Sequence, residues 1–267
     1  MRLTSWNLQH GLVTPPSPSD DPAALIAAEM SRLTPDLIGL QEVDYLLPRS
    51  GSMNQVGNFA DLMKTKYWAF APSLIGSPDE DWRNPRPDDE LIVTSESASQ
   101  VAGYGIGIAS KIPVLSWHRL NLTGSPIGAP LAFPVDGKLK RFYVRDHPRS
   151  ALAAVLDNGW VVINTHLSFV PGFSWWQLMK IKRWTRSLPI KDKSKILIMG
   201  DLNIPLEVFA KGYQWNSLAK VKTFPAWQPR AQIDYFLSQK VASEDVMMLP
   251  CRYPGISDHM PLTIDIN

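Results

Sequence analysis

The stretch from Lys195 to Asn203 constrains the fold of this chain more than any other. Four apolar residues, 196–199, are followed by Gly200, which is the pattern of a buried β-strand that ends in a turn. Asp201 and Asn203 come next, so the predicted strand presents a carboxylate and a carboxamide at its C-terminal end. Taken alone, this pair is better explained as an Asx turn that closes the strand. It becomes informative because similar polar groups recur at other strand ends.

Five further strands are predicted, and each carries polar groups at or next to one end. The first alternates well enough to lie near a sheet edge, and the others are apolar runs typical of buried strands. Loops at strand ends are where a rigid sheet presents reactive groups. The predicted strands and their polar groups are residues 2–8 with Asn7, 36–43 with Glu42, 159–167 with His166, 232–237 with Asp234, and 260–264 preceded by Asp258 and His259.

The composition is that of an ordinary globular protein, with 45% hydrophobic and 19% charged residues. A length of 267 residues suits one large α/β domain or two small ones. Because we find no internal repeat and no linker, we predict a single domain over residues 1–267. The net charge of +2 neither indicates nor excludes binding to nucleic acid.

Several features bear on the cellular compartment. The single cysteine, Cys251, excludes an internal disulfide and permits the cytosol. No apolar run approaches the ~20 residues that a membrane span needs. The N-terminus leads directly into a predicted strand and shows no signal peptide, although a trimmed export signal would leave the same pattern. We therefore expect a cytoplasmic protein with no membrane span and no obligate protein partner.

Three helices are predicted from spacing and capping. The first begins at Pro22, is capped by Asp21 and ends before Pro35, and the second covers residues 54–63. The third opens at Ser174, where Gln177 would complete a capping box and Phe173 would pack against Leu178. Its buried face contains Leu178, Ile181, Trp184 and Leu188, and its basic face contains Lys180, Lys182, Arg183 and Arg186. That face is usually solvated, but with Trp175 and Trp176 it could hold a polyanion.

Two long segments are predicted to be loops. Residues 76–100 contain seven acidic residues and two arginines, which indicates a surface excursion. Residues 120–138 are rich in glycine and proline. After them, residues 142–144 and 150–156 are predicted to form paired strands. The glycines of residues 103–109 indicate a strand rather than a phosphate-binding loop, because Pro113 and another apolar run follow where a helix would be needed.

The residue types at the strand ends indicate a site for a hard cation. Carboxylate and carboxamide oxygens suit Mg²⁺ or Mn²⁺, and the chain has no cysteine pair or histidine spacing typical of zinc. A cation, a protonated histidine and a carboxylate base together can stabilise a pentacoordinate phosphate and activate water. Glu42 has an alternative explanation as the ion-pair partner of Arg49. The spacing alone does not favour a metal ligand over an ion-pair partner for Glu42.

Six short motifs resemble those of the endonuclease/exonuclease/phosphatase superfamily of metal-dependent phosphoesterases, which includes pancreatic-type DNases and exonuclease III-like enzymes. They occur in the order found in that family and span nearly the whole chain. The resemblance implies an α+β fold, a four-layer sandwich in which two mixed β-sheets pack face to face with helices outside. The motifs are residues 5–7, 40–43, 164–167, 200–203, 233–236 and 257–259.

The resemblance also implies a role for each matching residue. Glu42 is similar to the principal metal ligand, Asn7 to its neighbour and Asp258 to a ligand of a second metal. Asp201 resembles the group that activates water, and Asn203 the carboxamide that steadies it. His259, oriented by Asp234, and His166 resemble groups that contact the phosphate. Arg145 and Arg149 match no motif clearly and are candidates only for substrate contacts.

The chemistry is better determined than the substrate. The basic helix and an acid-free segment, residues 208–233, favour a nuclease that binds DNA or RNA. The small net charge and the acidic excursion argue against a long polyanion. We predict a metal-dependent phosphodiesterase or nuclease, with a small-molecule or lipid phosphoesterase as the alternative. A non-catalytic binding module is a remote third hypothesis, because no motif residue is missing.

Overall fold

The structure is a computed structural model that describes residues 1–17, 19–97, 99–135, 138–190, 192–193, 195–211 and 214–267. Its strands, in chain order, are β1 (Arg2–Asn7), β2 (Leu37–Tyr45), β3 (Tyr67–Gly76), β4 (Trp82–Arg83), β5 (Val93–Thr94), β6 (Gly103–Ser110), β7 (Val114–Leu122), β8 (Ala129–Val135), β9 (Lys138–Val144), β10 (Arg149–Leu156), β11 (Val161–His166), β12 (Ile196–Asp201), β13 (Asn216–Ser217), β14 (Asp234–Ser238), β15 (Val246–Met248) and β16 (Leu262–Ile266). The α-helices are α1 (Pro22–Leu33), α2 (Gln55–Met63), α3 (Phe173–Trp184) and α4 (Glu207–Lys211).

Most of the strands form two mixed sheets. The first sheet has the order β15-β16-β1-β2-β6-β3-β4, with β5 paired to β3, and the second has the order β13-β14-β12-β11-β10-β7. In each sheet one central pair is parallel, β1 with β2 and β11 with β12, and the pairs around it are antiparallel. The parallel pairs bring strand ends that are distant in sequence to the same sheet edge.

The core has three apolar layers that define a four-layer sandwich. The central layer lies between the sheets and combines side chains such as Leu37 and Ile108 of the first with Leu152 and Leu197 of the second. A second layer packs α1 and α2 on the outer face of the first sheet. A third packs α3 on the outer face of the second sheet. The predicted α+β fold, two mixed sheets face to face with helices outside, is therefore confirmed.

The local sequence signals for the first two helices are also confirmed. Asp21 caps α1 by accepting a hydrogen bond from the Ala23 N–H (3.0 Å), and Asn54 caps α2 by accepting from the Gly57 N–H (2.9 Å). Each side chain satisfies one of the amide groups that a helix start leaves without an intrahelical acceptor. No helix in the described part of the chain is long and apolar enough to cross a membrane.

The predicted capping box of the third helix is wrong. The N-cap of α3 is Gly172, and no side chain caps the helix. Gln177 is buried, where its Oε1 accepts from the Ser168 N–H (2.7 Å) and its Nε2 donates to the Thr123 carbonyl (2.8 Å). A buried amide must find partners, and these loops supply them better than the helix start does.

The basic face of α3 also differs from the prediction. Lys182 is not solvated, because its Nζ donates to the carbonyl oxygens of Ala210 (2.7 Å) and Lys211 (2.6 Å) at the end of α4. Burial lowers the pKa of Lys182 to about 7. Leu188 lies beyond the end of α3 but still packs into the same apolar layer.

Two predictions about strands are corrected. The first strand, β1, lies inside its sheet between β16 and β2, and it is buried on both faces from Leu3 onwards, so it is not close to an edge. Residues 120–138 are not one loop, because β7 continues to Leu122 and β8 and β9 form a two-stranded ribbon; positions 136 and 137 lie outside the described residues. A two-stranded ribbon leaves one edge of each strand unpaired, which accommodates Pro130 of β8.

Residues 142–144 do not pair with residues 150–156 as predicted. They pair with β8, whereas β10 pairs with β7 and β11. The connecting loop turns away because Asp146 is anchored elsewhere: its Oδ2 accepts from the Ser125 N–H (2.7 Å) and the Ser168 hydroxyl (2.6 Å). In the part that the structure describes, the acidic segment 76–100 is largely irregular, as predicted; β4, β5 and the end of β3 pair it with the first sheet.

Candidate active site

Strand pairing brings the predicted polar groups to one edge of each sheet. In the second sheet, Asp201 pairs directly with His166 on one side and Asp234 on the other. In the first sheet, Asn7 pairs with Gln41, the residue before Glu42. These residues form one cluster because the two edges lie side by side, as the hydrogen bonds described below demonstrate.

Glu42 lies at an irregularity of β2. The register between β2 and β6 shifts between Gln41 and Val43, and Glu42 has a positive φ of 53°. Such a bulge turns one side chain out of the regular alternation, and a positive φ is strained for a residue with a Cβ. The alternative pairing of Glu42 with Arg49 is wrong, because Arg49 binds Asp44 through two hydrogen bonds (2.9 and 2.7 Å) and also contacts Asp79.

Gly200 is required by the close approach of β11 to β12. Its φ is +136°, and a Cβ at this position would lie 1.8 Å from the Thr165 carbonyl oxygen. Only glycine avoids this collision. Gly200 therefore allows β12 to approach β11 closely enough to place Asp201 beside His166, which is more than the flexible turn that the sequence indicated.

Asn7 joins the two sheets at the site. Its Nδ2 donates to Glu42 Oε1 (3.0 Å) and to Asp201 Oδ2 (3.1 Å), and its Oδ1 accepts from the Gln9 N–H (3.1 Å). The Oε1 of Gln9 in turn accepts from the Asp258 N–H (3.2 Å). One carboxamide thus sets the separation of two carboxylates, and Gln9, a polar residue after the first strand to which the sequence gave no role, ties this group to the loop of Asp258.

His259 is held by a charged partner. Its Nδ1 lies 2.9 Å from Asp234 Oδ2, which also accepts a hydrogen bond from the Thr223 hydroxyl. Its backbone N–H donates to Ser257 Oγ (3.0 Å), and that hydroxyl donates to the Asn7 carbonyl (2.6 Å). Because Nδ1 binds Asp234, Nε2 is directed towards Asp201 Oδ2, 3.6 Å away.

His166 and Asn203 form the other side of the cluster. The Nδ2 of Asn203 donates to the Leu167 carbonyl (3.0 Å) and lies 3.2 Å from His166 Nε2. Asn203 has a φ of 50°, a conformation that asparagine tolerates better than most residues. His166 Nε2 lies 3.6 Å from Asp201 and 3.9 Å from Glu42.

The two histidines have opposite electrostatic environments. For His259, burial lowers the pKa, but the charges of Asp234 and Asp201 outweigh it and raise the pKa to about 10. For His166, burial lowers the pKa well below its usual value, and the positive charge of Arg149 lowers it further. One imidazole is therefore a cation near neutral pH and the other is uncharged.

The carboxylates of the cluster carry more negative charge than their neighbours neutralise. Burial raises the pKa of Asp201; His259 opposes this shift and Asp234 reinforces it. Burial also raises the pKa of Asp258 to about 6, and the charge of Glu42 acts in the same direction. Crowded carboxylates with raised pKa values fit a bound divalent cation, which would relieve their repulsion.

The donor set suits a hard cation. Glu42 and Asp258 are half-buried carboxylates, each with a side chain 25% exposed, so both remain accessible to an ion. Ligand atoms of Asp201, Asp234 and His259 also lie within 4.8 Å of one another. In that second group, His259 Nδ1 and Asp234 are already engaged with each other, so Glu42 and Asp258 are the better candidates for ligands.

The two arginines differ in position. Arg149 is 3% exposed at the start of β10, and its Nη2 donates to Asp146 Oδ1 (3.3 Å). Its charge reaches His166, as the lowered pKa of that histidine indicates. Arg145 is exposed on the preceding loop, and none of the described hydrogen bonds or ion pairs connects it to the cluster.

Two polar residues of the motifs have a structural role beneath the site. Gln41 Nε2 donates to Asn164 Oδ1 (2.7 Å), and Asn164 Nδ2 donates to the carbonyls of Leu40 and Gly107 (2.8 Å each). This buried pair links β2 to β11 across the sandwich. The signal in the sequence is a carboxamide inside an apolar strand, but its partner could not be identified. Thr223, the second partner of Asp234, had no signal at all.

Comparison with known protein families gives a match that covers the residues of this cluster. Residues 4–259 match the sequence model described as the endonuclease/exonuclease/phosphatase family. No curated protein sequence matches the chain significantly.

Several solved structures share the fold. An endonuclease/exonuclease/phosphatase from Beutenbergia cavernae aligns with a TM-score of 0.59 at 19% identity, covering 98% of this chain and 70% of its own. The human Nocturnin catalytic domain aligns with a TM-score of 0.55 at 17% identity over 99% and 92%. A mannosyl-6-phosphatase from Bacteroides thetaiotaomicron aligns with a TM-score of 0.57 at 13% identity over 99% and 98%. At these identities the likeness establishes the fold alone.

Proposed function

The chain belongs to the endonuclease/exonuclease/phosphatase family, whose members are phosphoester hydrolases, and we propose that it is a divalent-metal-dependent phosphodiesterase or nuclease. The observation that carries this proposal is the cluster around Asp201. It combines a carboxylate next to a cationic imidazole with a second pair of carboxylates accessible to a metal ion.

Asp201 is the proposed base. One oxygen accepts from the Asn203 N–H (2.9 Å) and the other from Asn7, so the carboxylate is held in one orientation. Its raised pKa suits a group that must accept a proton from water near neutral pH. His259, with Nδ1 bound to Asp234, would donate from Nε2 to the phosphate and stabilise the charge that develops on its oxygens.

The metal site is assigned to Glu42 and Asp258. A bound Mg²⁺ or Mn²⁺ would supply Lewis-acid stabilisation of the phosphate. We place Asn7 in the same site, where its amide positions Glu42 relative to Asp201. Enzymes of this family are generally dependent on divalent metals. The crowding of unneutralised carboxylates supports the same dependence in this chain.

The remaining residues are assigned to binding and positioning. His166 would contact the phosphate as an uncharged group, held in place by Asn203. Arg149 lies close enough to act on His166 electrostatically, so a substrate contact is assigned to it. Arg145, being exposed, is assigned only to the outer rim of the substrate site.

A nucleic-acid substrate, DNA or RNA, is supported by the N-terminal part of α3. Trp175 and Trp176 are exposed there, and Lys180 Nζ lies 3.8 Å from the centroid of the Trp176 ring. Exposed aromatic rings next to cations are suited to stack bases and neutralise phosphates. The loss of Lys182 from this face reduces the charge available, so a short or single-stranded substrate fits better than a long duplex.

A specific cavity supports the alternative, a small-molecule or lipid phosphoesterase. A cavity of about 600 Å³ lies between α1 and α2, and its lining includes Leu8, His10, Ile26, Met53 and Phe59. Burial lowers the pKa of His10 in this lining and the charge of Glu42 opposes that shift, so the cavity lies near the proposed metal site. A largely apolar cavity of this size could bind the apolar part of a phosphoester.

Two substrates distinguish these hypotheses. Hydrolysis of a bis-aryl phosphodiester and of plasmid or single-stranded DNA should be measured with Mg²⁺, with Mn²⁺ and with EDTA. We expect activity on both substrates with metal and none with EDTA. Activity on the aryl diester alone would favour the small-molecule alternative. Full activity in EDTA, or no activity with either metal, would contradict the proposal.

A further inference from the structure

A second cavity, of about 330 Å³, lies at the side of the sandwich. It opens between the two sheets, since Ser73 belongs to β3 and Arg119 to β7, and the acidic segment contributes Asn84. Residues at the end of β7 and the start of β10 complete it. Its polar lining consists of Ser73, Asn84, Arg119, Asn121, Thr123 and Arg149.

Arg119 has no anionic partner among the described residues. Its Nη1 donates to the Leu91 carbonyl (2.9 Å) and its Nη2 to the Pro72 carbonyl, while its Nε has no acceptor. Arg119 is half-buried, and this partial burial without a counter-charge lowers its pKa to about 10.

Arg149 makes one long hydrogen bond to a single carboxylate. Its Nη2 donates to Asp146 Oδ1 (3.3 Å), but its Nε and Nη1 are buried without an acceptor in the ranges described above. Asp146 is itself committed, because its other oxygen accepts from Ser125 and Ser168. Of the two guanidinium groups beside this cavity, only that of Arg149 therefore has a carboxylate partner.

Such an arrangement is costly unless an anion completes it. A buried charge without a partner destabilises a protein, and each unsatisfied buried donor adds to that cost. Guanidinium groups offer several N–H donors in a planar fork that matches phosphate oxygens. The cavity is also large enough for a phosphoryl group.

The position of the cavity relates it to catalysis. Arg149 begins β10, and two residues later Ala151 pairs with Thr165, the residue before His166. The charge of Arg149 acts on His166. A substrate whose scissile phosphate lies at Asp201 and His259 could therefore place another group near Arg149 and Arg119.

We propose that this cavity binds a second phosphoryl group of the substrate, so that the preferred substrates carry a phosphate in addition to the scissile one. The inference rests on the proposed function and narrows its substrate class to oligonucleotides and phosphorylated phosphodiesters. A free phosphate ion offers the same chemistry, and the experiment separates these two sources.

The test compares two matched substrates. One is the p-nitrophenyl ester of thymidine 5′-phosphate with a free 3′-hydroxyl, and the other carries a 3′-phosphate. The ratio of their kcat/KM values with Mg²⁺ or Mn²⁺ is the readout, because a general loss of activity or folding cancels in it. We expect the wild type to prefer the 3′-phosphorylated ester by about ten- to one-hundredfold, the scale of one or two charge-assisted hydrogen bonds.

Three variants test the assignment. Arg119→Gln should bring the ratio close to one, and Arg119→Lys, which keeps the charge but loses the fork, should give an intermediate ratio. Arg252→Gln removes an arginine whose side chain is 58% exposed and pairs with Glu29, away from the proposed substrate surfaces, and should leave the wild-type ratio, which controls for net charge. A wild-type ratio near one, or a preference that persists in Arg119→Gln, would overturn the proposal.

Binding provides a readout that does not depend on turnover. In EDTA, calorimetry should find thymidine 3′,5′-bisphosphate bound more tightly than thymidine 5′-monophosphate by the wild type, with the difference lost in Arg119→Gln. If neither ester is hydrolysed but this difference is present, the proposed function fails and the phosphoryl site stands. If inorganic phosphate raises the Tm of the wild type only, without any preference between the esters, the cavity binds a free anion and the substrate assignment is wrong.

Discussion

Individual residues of the site act through fixed charges at short range. Asn7, Asp201, Asp234 and His259 are all buried, and each is held by at least one partner within 3.1 Å. A group held in this way needs little reorganisation during the reaction, which is the main source of electrostatic stabilisation in enzymes. Substitutions that keep shape but remove charge are therefore the most informative at this scale.

The metal assignment predicts the effect of Glu42→Gln. The amide keeps an oxygen for Asn7 but loses the negative charge, so Mg²⁺ binding should weaken at least about tenfold while the fold is retained. Calorimetry and circular dichroism measure the two effects. Asp61→Asn, at an exposed carboxylate of α2, is the control and should bind Mg²⁺ like the wild type. Unchanged metal binding by Glu42→Gln would remove Glu42 from the site.

The hydrogen bond between Asp234 and His259 predicts non-additive kinetics. His259→Ala should lower kcat by roughly 10²–10³-fold, the scale expected for loss of one preorganised donor. Asp234→Asn should lower kcat as well, because it removes the charge that keeps the imidazole protonated and oriented.

The double variant distinguishes a shared role from independent roles. If Asp234 acts through His259, adding Asp234→Asn to His259→Ala should cause little further loss of kcat. Multiplication of the two single losses in the double variant would show that Asp234 acts independently of His259.

At the scale of secondary-structure elements, the parallel pair β11 and β12 determines the geometry of the site. These strands place His166 directly opposite Asp201, and their close approach depends on the missing side chain of Gly200. The catalytic arrangement is therefore sensitive to the separation of two buried strands.

Gly200→Ala tests this dependence. A methyl group 1.8 Å from the Thr165 carbonyl oxygen must force the strands apart, so the variant should lose at least about 3 kcal/mol of unfolding free energy. Gly172→Ala is the matched control: its φ is also positive (+80°), but no heavy atom lies within 4 Å of the added Cβ. It should lose only about 1–2 kcal/mol, the cost of the left-handed conformation. Urea unfolding measures both, and equal losses would contradict the steric argument.

At the scale of the whole molecule, the site forms only because the two sheets pack face to face. Asn7 and Asp201 are 194 positions apart in the chain, and their hydrogen bond crosses from one sheet to the other. The buried link between Gln41 and Asn164 holds the sheets together directly beneath. Stability of the sandwich and integrity of the site should therefore be lost together on unfolding.

Histidines with shifted pKa values make the stability of the whole molecule dependent on pH. Burial and the charge of Arg149 lower the pKa of His147, and His166 is shifted in the same direction. Below pH 6.5 the unfolded chain takes up protons at these positions and the folded chain does not, so unfolding free energy should fall by about 1.4 kcal/mol per pH unit for each histidine. His259 has a raised pKa, so its contribution is complete below pH 6.5 and is lost as the pH rises towards about 10.

Urea unfolding between pH 4.5 and 8 measures the sum of the histidine contributions and the opposing contributions of Asp201 and Asp258, whose raised pKa values favour the folded state as the pH falls. Because His147→Gln removes one destabilising contribution, its unfolding free energy should decrease less on acidification than that of the wild type, by up to about 1.4 kcal/mol per pH unit. An identical slope in this variant would show that His147 is not held uncharged in the folded protein.

The amino-acid sequence by itself determined the features that depend on a few neighbouring residues. The apolar run before Gly200 predicted β12, and Asp21 and Asn54 marked the starts of α1 and α2. The ordered motifs indicated the α+β sandwich and the strand ends at which Asp201, Asp234 and His166 lie together. The strand and the helix starts were readable because side-chain periodicity and capping chemistry act over a few neighbouring residues, whereas the sandwich followed from the resemblance of the motifs to a known family.

Only the tertiary structure decided which groups became partners. Arg49 neutralises Asp44 and Asp79 rather than Glu42, Gln177 binds two loops rather than capping its helix, and β9 pairs with β8. Each of these contacts joins segments that are far apart in the chain. Because an unpaired polar or charged group in the interior costs several kcal/mol, roughly, the arrangement that pairs more of these groups is the more stable one. The local sequence does not indicate which distant groups will lie nearby. The partners of buried polar groups are therefore determined only when the two sheets pack against each other.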